Sequence, residues 1–187
     1  MFLWTTHVDV SCRQVDDVRA RLLVSSGLSH LSHVNHIDMS FNVISDVGAR
    51  ALAALISRSD SLTTVTLVDN NIRAAGARAL AHGLAAKSCI LKSLDLRLNY
   101  IGDEGAVELY RVLTLRNRTL ASINVSSNLC TMASSSALAD MLRHNSVINR
   151  LDISSNNLAV CITRSVSVCL SVCLSRRSTE LPVYAMA

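Results

Sequence analysis

Aromatic residues are scarce in this chain of 187 residues. They form only 3% of it, although half of its residues are apolar. We therefore expect a core of leucine, valine, isoleucine and alanine rather than a cofactor pocket walled by aromatic rings. No apolar run reaches the ~18 residues that a membrane helix needs. The apolar start, Met1 to Trp4, lacks the basic region and the long apolar run of a secretory signal. The sequence predicts a cytoplasmic protein without membrane contact.

An excess of one charge sign and the motifs of catalysis are missing as well. Lys and Arg number 18 against 14 Asp and Glu, and residues 1–158 hold 15 basic and 13 acidic side chains. A body so close to neutral carries no electrostatic footprint for nucleic acid. The sequence contains no P-loop, GxSxG, HExxH or dinucleotide fingerprint. We expect no enzyme activity, no cofactor and no nucleic-acid partner.

Metal-ligand spacing is also absent among the cysteines. None of the six forms a CxxC pair, and free thiols in a reducing compartment are the expectation for Cys12, Cys89, Cys130, Cys161, Cys169 and Cys173. His30, His33 and His36 form an HxxHxxH run. This run spans a predicted helix end and a strand start, so we interpret it as polar surface rather than a metal site.

What the chain does contain is a repeat. Five segments match the pattern L-x-x-L-x-L-x-x-N-x-L with apolar substitutes, and their asparagines are spaced 28, 29, 29 and 28 residues apart. The asparagines are Asn42, Asn70, Asn99, Asn128 and Asn156. A period of this length indicates stacked strand–loop–helix units. The fold prediction is an α/β solenoid, a right-handed βα superhelix with 28–29-residue repeats and a parallel sheet on its concave face.

Each fixed position has a physical explanation. The two residues of the L-x-L pair lie on one face of a short strand because side chains alternate with period two. The asparagine amide can both donate and accept, so we expect it to satisfy backbone groups of the turn that follows. Apolar residues at four-residue spacing, such as Leu80 and Leu84, predict a helix facing the sheet. Asp46 and Asp103 are expected to cap the helices that they begin.

The pattern weakens at both ends. Residues 1–30 form a degenerate repeat, with valines at strand positions, Arg13 at the asparagine position, and Val18, Leu22 and Leu23 suited to a helix; the valines are Val8, Val10 and Val15. Residues 31–158 hold the five repeats. Residues 159–187 carry a tandem SVCL tetrapeptide instead. We expect this tail to be disordered or a gene-model artefact, and the chain to be a piece of a longer scaffold.

The concave face is the expected binding surface, because strand residues between the core positions point to it. They are polar, small and of mixed sign. The partner-binding prediction names six of them, namely His36, Asp38, Asp95, Arg97, Arg150 and Asp152. The three aspartates share one register, and we favour a role in the repeat consensus over a dedicated acidic site as their explanation.

The segments 67–84 and 94–109 resemble the leucine-rich repeats of ribonuclease inhibitor and of NOD-like receptors. More narrowly, LRLNYIGDEG at 96–105 and LASINVSSN at 120–128 are similar to the family of dynein regulatory complex subunit 5, also called t-complex-associated testis-expressed protein 1. That resemblance implies a non-catalytic scaffold in the nexin link of the axoneme of motile cilia or flagella, with other axonemal subunits as protein partners.

Two alternatives remain open. The first is a cytosolic binding module, either inhibitor-like or a fragment of a NOD-like receptor. The second is a GTPase-activating protein of the Ran type, which uses the same repeats with a catalytic arginine. That class carries an acidic C-terminal tract, whereas residues 159–187 are weakly basic.

Overall fold

In the computed structural model, residues 6–27 and 32–158 are described. Short parallel strands alternate with helices along the chain. The strands are β1 (His7–Asp9), β2 (His36–Asp38), β3 (Thr64–Thr66), β4 (Ser93–Asp95), β5 (Ser122–Asn124) and β6 (Arg150–Asp152). The α-helices are α1 (Asp17–Leu22), α2 (Asp46–Arg58), α3 (Ala74–Leu84), α4 (Gly102–Leu115) and α5 (Ser135–His144). A π-helical turn (Leu23–Gly27) follows α1, and a 3-10 turn (Met132–Ser134) precedes α5.

The six strands form one parallel sheet in sequence order, from β1 to β6. Equivalent residues pair directly: Ile37 pairs with Val65, and Val65 with Leu94. Backbone bonding continues past each strand, as in the bond from Met39 N to Thr66 O at 2.9 Å. The predicted solenoid with its parallel sheet is confirmed, and each repeat adds one strand and one helix to the preceding unit.

The core lies between the sheet and the helix layer, as the repeat predicts. The middle residue of each strand from β2 to β6 is buried, and so are the leucines of the helix stripe. Buried stripe residues are Leu52, Ile56, Leu80, Leu84, Leu109, Leu113 and Leu138, while Leu142 is half-buried. Leucine, isoleucine, valine and alanine supply nearly all of this core, and Tyr110 is the one aromatic residue within the described part of it.

Residues 7–27 extend the sheet and the helix layer by one unit. β1 pairs in parallel with β2, and Val15 is buried. The helix expected from Val18 and Leu22 forms, but these two side chains are 63% and 57% exposed. Ala20 and Val24 face the core instead. The predicted buried side of this helix was therefore wrong by about two residues, because a six-residue helix contains too few apolar positions to define that side.

The asparagine side chains join each repeat to the preceding one. Asn99 Oδ1 accepts from Ile72 N at 3.0 Å, and Asn99 Nδ2 donates to Leu67 O at 2.9 Å and to Leu96 O at 3.0 Å. Asn42, Asn70, Asn128 and Asn156 make the same type of bonds. The prediction that these asparagines bond to backbone groups of the turn is confirmed. The structure adds that many of these hydrogen bonds reach the backbone of the neighbouring repeat.

The expected capping by Asp46 and Asp103 is wrong in its direction. Asp46 does not cap α2, whose N-cap is Ser45. Asp46 Oδ1 instead accepts from Arg73 N and Gly76 N, both at 2.8 Å, at the start of α3. Asp103 likewise accepts from Thr131 N at 2.7 Å and from Thr131 Oγ1 at 2.6 Å. Each carboxylate therefore caps the helix turn of the following repeat.

A small residue lies three positions after the N-cap of each helix that is capped in this way, and it leaves space for the carboxylate of the preceding repeat. A Cβ on Gly76 would lie 2.6 Å from Asp46 Oδ1, and a Cβ on Gly48 would lie 2.8 Å from Asp17 Oδ1. The series contains one interruption, since Ala74 occupies the place of the aspartate. There the next helix has no side-chain cap, and Gly102 enters α4 with a left-handed φ of 62°.

A second polar series lies where the helices return to the sheet. Asn117 Nδ2 donates to Leu84 O at 2.8 Å, and Asn117 Oδ1 accepts from Leu120 N at 2.9 Å. Asn145 makes the equivalent bonds to Leu113 O and from Ile148 N. The sequence analysis missed this series because only two of its members are asparagines. Earlier repeats have Ser59 and Ser88 there.

Residues outside the described ranges include the tail 159–187, the start Met1 to Trp4 and His30. The expectations for a disordered tail, for the chain start and for the three-histidine run therefore stay predictions. Within the described ranges, none of the helices is both long and apolar enough to cross a membrane.

Replacing Asn99 by alanine should lower the free energy of unfolding by roughly 1–3 kcal/mol, because buried backbone groups of two repeats lose their partner. Urea unfolding followed by circular dichroism measures this. Asn71→Ala is the matched control, since the Asn71 side chain is exposed, and it should change stability by less than about 0.5 kcal/mol. Equal losses in the two variants would contradict the bridging role.

Asp103→Asn should destabilise the protein at neutral pH, with the difference disappearing in acid. Burial raises the pKa of Asp103, but hydrogen bonds from Thr131 and Ser134 outweigh it, so that the pKa lies below the ordinary 3.8. The ionised carboxylate therefore stabilises the fold above pH 3.8, and this contribution is lost as the pH falls through the lower folded-state pKa. Urea midpoints at several pH values test this.

The control for that series is Glu104→Gln, one residue further along the same helix. Glu104 is 81% exposed and lies 3.8 Å from Arg78 in a surface ion pair, which contributes little. An Asp103→Asn effect that is no larger than the Glu104→Gln effect, or that does not depend on pH, would disprove capping across the repeats.

Candidate functional site

The concave face consists of two rows of side chains that run across the sheet. The first row contains the initial residue of each strand, including His36 and Arg150, and the second row contains the last residue, including Asp38, Asp95 and Asp152. These side chains are exposed or half-buried, whereas the residue between them is buried in β2 to β6. Five of the six predicted site residues therefore lie in these rows.

Arg97 belongs to a third row, two residues beyond β4. Its equivalents Ser40, Val68 and Ser126 are buried, so the face closes there in three of the five repeats. Arg97 is exposed and lies beside Asp95, with Nη2 3.9 Å from Oδ2. The sequence analysis placed this whole row on the open face. It is largely closed because the chain already leaves the strand at this position.

The three aspartates in register are turn residues. Asp38 Oδ1 accepts from Ser40 N at 2.9 Å, and Asp95 and Asp152 accept in the same way from the N–H groups of Arg97 and Ser154, both at 3.0 Å. In the fourth repeat Asn124 Oδ1 makes this bond to Ser126 N at 2.9 Å. The structural explanation considered for these residues therefore accounts for one carboxylate oxygen of each.

Asp95 lies in the middle of this row and is half-buried. Burial raises its pKa above the ordinary value, although the Arg97 N–H and the Arg97 guanidinium act in the opposite direction. Asp152 and Asp38 on the same row raise it further. The folded protein therefore disfavours the ionised form of Asp95 at the centre of the concave face.

At the β1 end of the face two histidines stack on each other. The rings of His7 and His36 lie with centroids 4.1 Å apart and planes inclined by 9°. Burial, and next the nearby His7, lower the pKa of His36, while Asp38 and Asp9 act against this. The sequence analysis missed His7 because the repeat pattern is too degraded there to assign its strand position.

The structure also reveals exposed apolar side chains on the loops that leave the strands. We define the loop rim as five residues that are 45–66% exposed: Phe41, Val43, Leu98, Tyr100 and Leu129. Phe41, Leu98 and Leu129 have left-handed backbone with φ of 56°, 58° and 61°. This conformation costs a bulky residue roughly 1–2 kcal/mol, and the exposed side chains recover little of it by burial.

In every repeat the backbone is left-handed at the residue before the bridging asparagine, or before Arg13 in the degenerate first repeat. No sequence signal indicated this. Other members of the series are Cys12, Asp69, Ser127 and Ser155, with φ between 52° and 56°. Aspartate and serine tolerate this turn more readily than phenylalanine or leucine. The fold therefore needs the conformation but does not need Phe41 or Leu98 in it.

The buried reactive groups are held in their protonated forms. Burial raises the pKa of the Cys130 thiol to about 12 and that of the Tyr110 hydroxyl still further. Among the described residues, no three His, Cys, Asp or Glu side chains gather in a way that could hold a metal ion.

Known proteins contain the same repeat. The family model described as "Leucine Rich repeat" matches residues 30–53, 59–81 and 87–109. "Ribonuclease inhibitor" of Sus scrofa is 35% identical over 126 residues, which cover 67% of this chain and 27% of that protein. Together with the parallel sheet, these matches decide the fold type. This chain is a leucine-rich-repeat solenoid of the ribonuclease-inhibitor-like kind.

Two further relatives are "NACHT, LRR and PYD domains-containing protein 5" of Homo sapiens and "Tonsoku-like protein" of Mus musculus. The first is 28% identical over 125 residues, 67% of this chain and 10% of that protein. The second is 28% identical over 184 residues, 93% of this chain and 13% of that protein. The chain thus spans between 10% and 27% of the length of these three relatives.

Asp95→Asn should be neutral or stabilising at pH 7, because it keeps the turn hydrogen bond, as Asn124 does, and removes a poorly solvated charge. Asp95→Ala loses the bond as well and should cost roughly 0.5–1.5 kcal/mol. Because the pKa of Asp95 is raised, its ionisation cost is present above the folded-state pKa and vanishes below it. Urea unfolding at pH 7 measures both variants. A larger loss for asparagine than for alanine would refute this assignment.

Proposed function

We propose that this chain is a non-catalytic protein-binding scaffold whose contact surface is the concave face together with the loop rim. The loop rim is the observation that carries the proposal, because it exposes five large apolar side chains that the fold does not require. Aromatic residues such as Phe41 and Tyr100 are enriched at protein interfaces and among their anchors. Leucine-rich repeats serve as protein-interaction modules, which supports the same conclusion.

The six residues predicted from the sequence divide into two roles in this proposal. Arg97 is an exposed cation next to the apolar rim, and Arg150 is an exposed cation at the last strand. Their long side chains can reach a partner. His36 contributes a half-buried ring beside His7. Asp38, Asp95 and Asp152 shape the turns with Oδ1. In this proposal Asp38 offers its second oxygen to a partner, whereas that of Asp95 lies beside Arg97 and that of Asp152 accepts from Asn124 Nδ2.

The narrower part of the proposal places the scaffold in the dynein regulatory complex of the ciliary or flagellar axoneme. Its support is the likeness of segments 96–105 and 120–128 to that family. The exposed Leu98 and Tyr100 of the rim lie in the first of these segments. In this proposal the partners are other axonemal proteins, and the location is the cytoplasm and the axoneme.

A second candidate is a cytosolic binding module of the inhibitor or NOD-like-receptor type. The similarity to ribonuclease inhibitor and to a NACHT- and LRR-containing protein favours it. Both candidates use the same surface and differ in the partner. Identification of the proteins that are lost when the loop rim is changed therefore separates them.

The test replaces rim residues with those that the chain uses at the same position in other repeats. Phe41→Ser and Leu98→Ser copy Ser127 and Ser155, and Leu129→Asn copies Asn71 and Asn157. The fold should tolerate this triple variant. We expect affinity for a partner isolated from ciliated cells to fall at least about tenfold, as loss of interface anchors does. Calorimetry with the purified partner measures the change.

Val18→Ser and Leu22→Ser together form the control, because they remove exposed apolar side chains from the helix layer. This variant should keep its affinity. A partner bound equally well by the rim variant would disprove the rim as the contact surface. Partners without axonemal proteins would contradict the ciliary assignment and favour the cytosolic module.

A further inference from the structure

The near-neutral total charge conceals two edges of opposite sign. We define the strand-exit edge as residues 9–19, 38–48, 66–77, 95–105, 124–135 and 152–158, which contain ten acidic and four basic residues. The helix-exit edge, where helices return to the sheet, is 55–64, 82–93, 113–122 and 142–150. It contains seven basic residues and one acidic residue, Asp60. The even charge balance of the sequence therefore does not describe the surface.

Three cations of the helix-exit edge form a row in register. Arg58, Lys87 and Arg116 are spaced 29 residues apart. Arg58 is the last residue of α2, and Lys87 and Arg116 follow the ends of α3 and α4. These helices pack side by side, and helix axes in such packing lie about 8–10 Å apart. All three side chains are exposed. They repeat along the edge once per solenoid unit.

The row is unpaired within the described part of the chain. None of its three side chains makes a hydrogen bond or an ion pair there. Neighbouring cations differ: Arg118 donates to Thr114 O at 3.2 Å and Asn117 O at 3.1 Å, and Arg143 pairs with Asp140 at 2.7 Å. Favourable interaction with helix C-termini explains Arg118. Arg116, a second cation directly after the end of α4, makes no such contact with the described residues.

A groove adjoins the row. It has a volume of about 390 Å³ and lies between α3 and α4, and its lining is mixed: Ala85, Val112 and Leu115 are apolar, and His82, Glu108, Arg111 and Arg116 are polar or charged. Leu115 is 63% exposed. A ligand of the row can therefore combine negative charges with an apolar side chain. Within its described residues the edge has no Phe, Trp or Tyr on which a nucleic-acid base could stack.

We propose that the helix-exit edge is a second binding surface, which takes an extended acidic polypeptide segment. Carboxylates of that segment pair with Arg58, Lys87 and Arg116, and an apolar side chain packs against Leu115. The row of Arg58, Lys87 and Arg116 lies outside the strands and outside the loop rim, although the helix-exit edge also includes the first strand residues of the concave face, Arg150 among them. It allows the solenoid to hold two different proteins at once.

The test uses a fluorescein-labelled glutamate-rich peptide containing one leucine, with binding measured by fluorescence anisotropy on the full chain. The variant R58Q/K87Q/R116Q should bind at least about tenfold more weakly, a change of about 1.4 kcal/mol. R13Q/R21Q/R73Q is the matched control. It removes the same charge from exposed cations elsewhere and should lose less than about twofold. R58K/K87R/R116K keeps the charges and should bind like the unchanged protein.

Several results would overturn the proposal. They are no binding of the peptide by the unchanged protein, equal losses in the two glutamine variants, and loss of binding in the charge-conserving variant. Equal or tighter binding of an oligothymidine of the same charge through the same row would identify a nucleic-acid surface instead. The loop-rim variant should bind the peptide normally, so failure of this proposal and failure of the proposed function give different results.

Discussion

The rest of the structure depends on the buried asparagine amide that bridges consecutive repeats. A three-residue strand is too short to form a stable sheet by itself, and the chain must leave it by a left-handed residue that exposes several turn N–H and C=O groups. The amide satisfies those groups in its own repeat and in the preceding one, as Asn99 does for Leu96 and Leu67. Because a repeat thereby completes its neighbour, the unit of stability is the pair of repeats rather than the single repeat.

Two further series follow the same principle. Asp17, Asp46 and Asp103 hold the helix start of the next repeat, and Asn117 and Asn145 bind the helix end of the preceding one. Polar contacts thus cross repeat boundaries at both edges of the sheet, while leucine packing fills the space between. With the backbone anchored in this way, exposed positions are free to vary. The loop rim and the cationic row occupy such positions, and the proposed binding surfaces are therefore placed there.

The sequence predicted the fold well because its signal is repeated five times. Each L-x-L pair, asparagine and four-residue leucine spacing found its expected place, and five of the six predicted site residues lie on the two open rows of the sheet. Prediction failed where a residue's partner lies in another repeat. Asp46 looked like the cap of its own helix, and only the stacking geometry shows that the start of α3 lies closer to it. The phase of α1 was wrong because a single short helix provides no such averaging.

The amino-acid sequence by itself therefore determined the strand–helix period, the core residues and the parallel sheet, since these follow from local periodicity and from the hydrogen-bonding capacity of asparagine. Only the tertiary structure decided which turn residues are left-handed, which side chains of the rim remain exposed, and where the charges gather. Stacking at a 29-residue period brings Arg58, Lys87 and Arg116 into one row. Along the sequence, each of these residues is 29 positions from the next. The physical reason is that surface contacts and charge fields depend on distances in space.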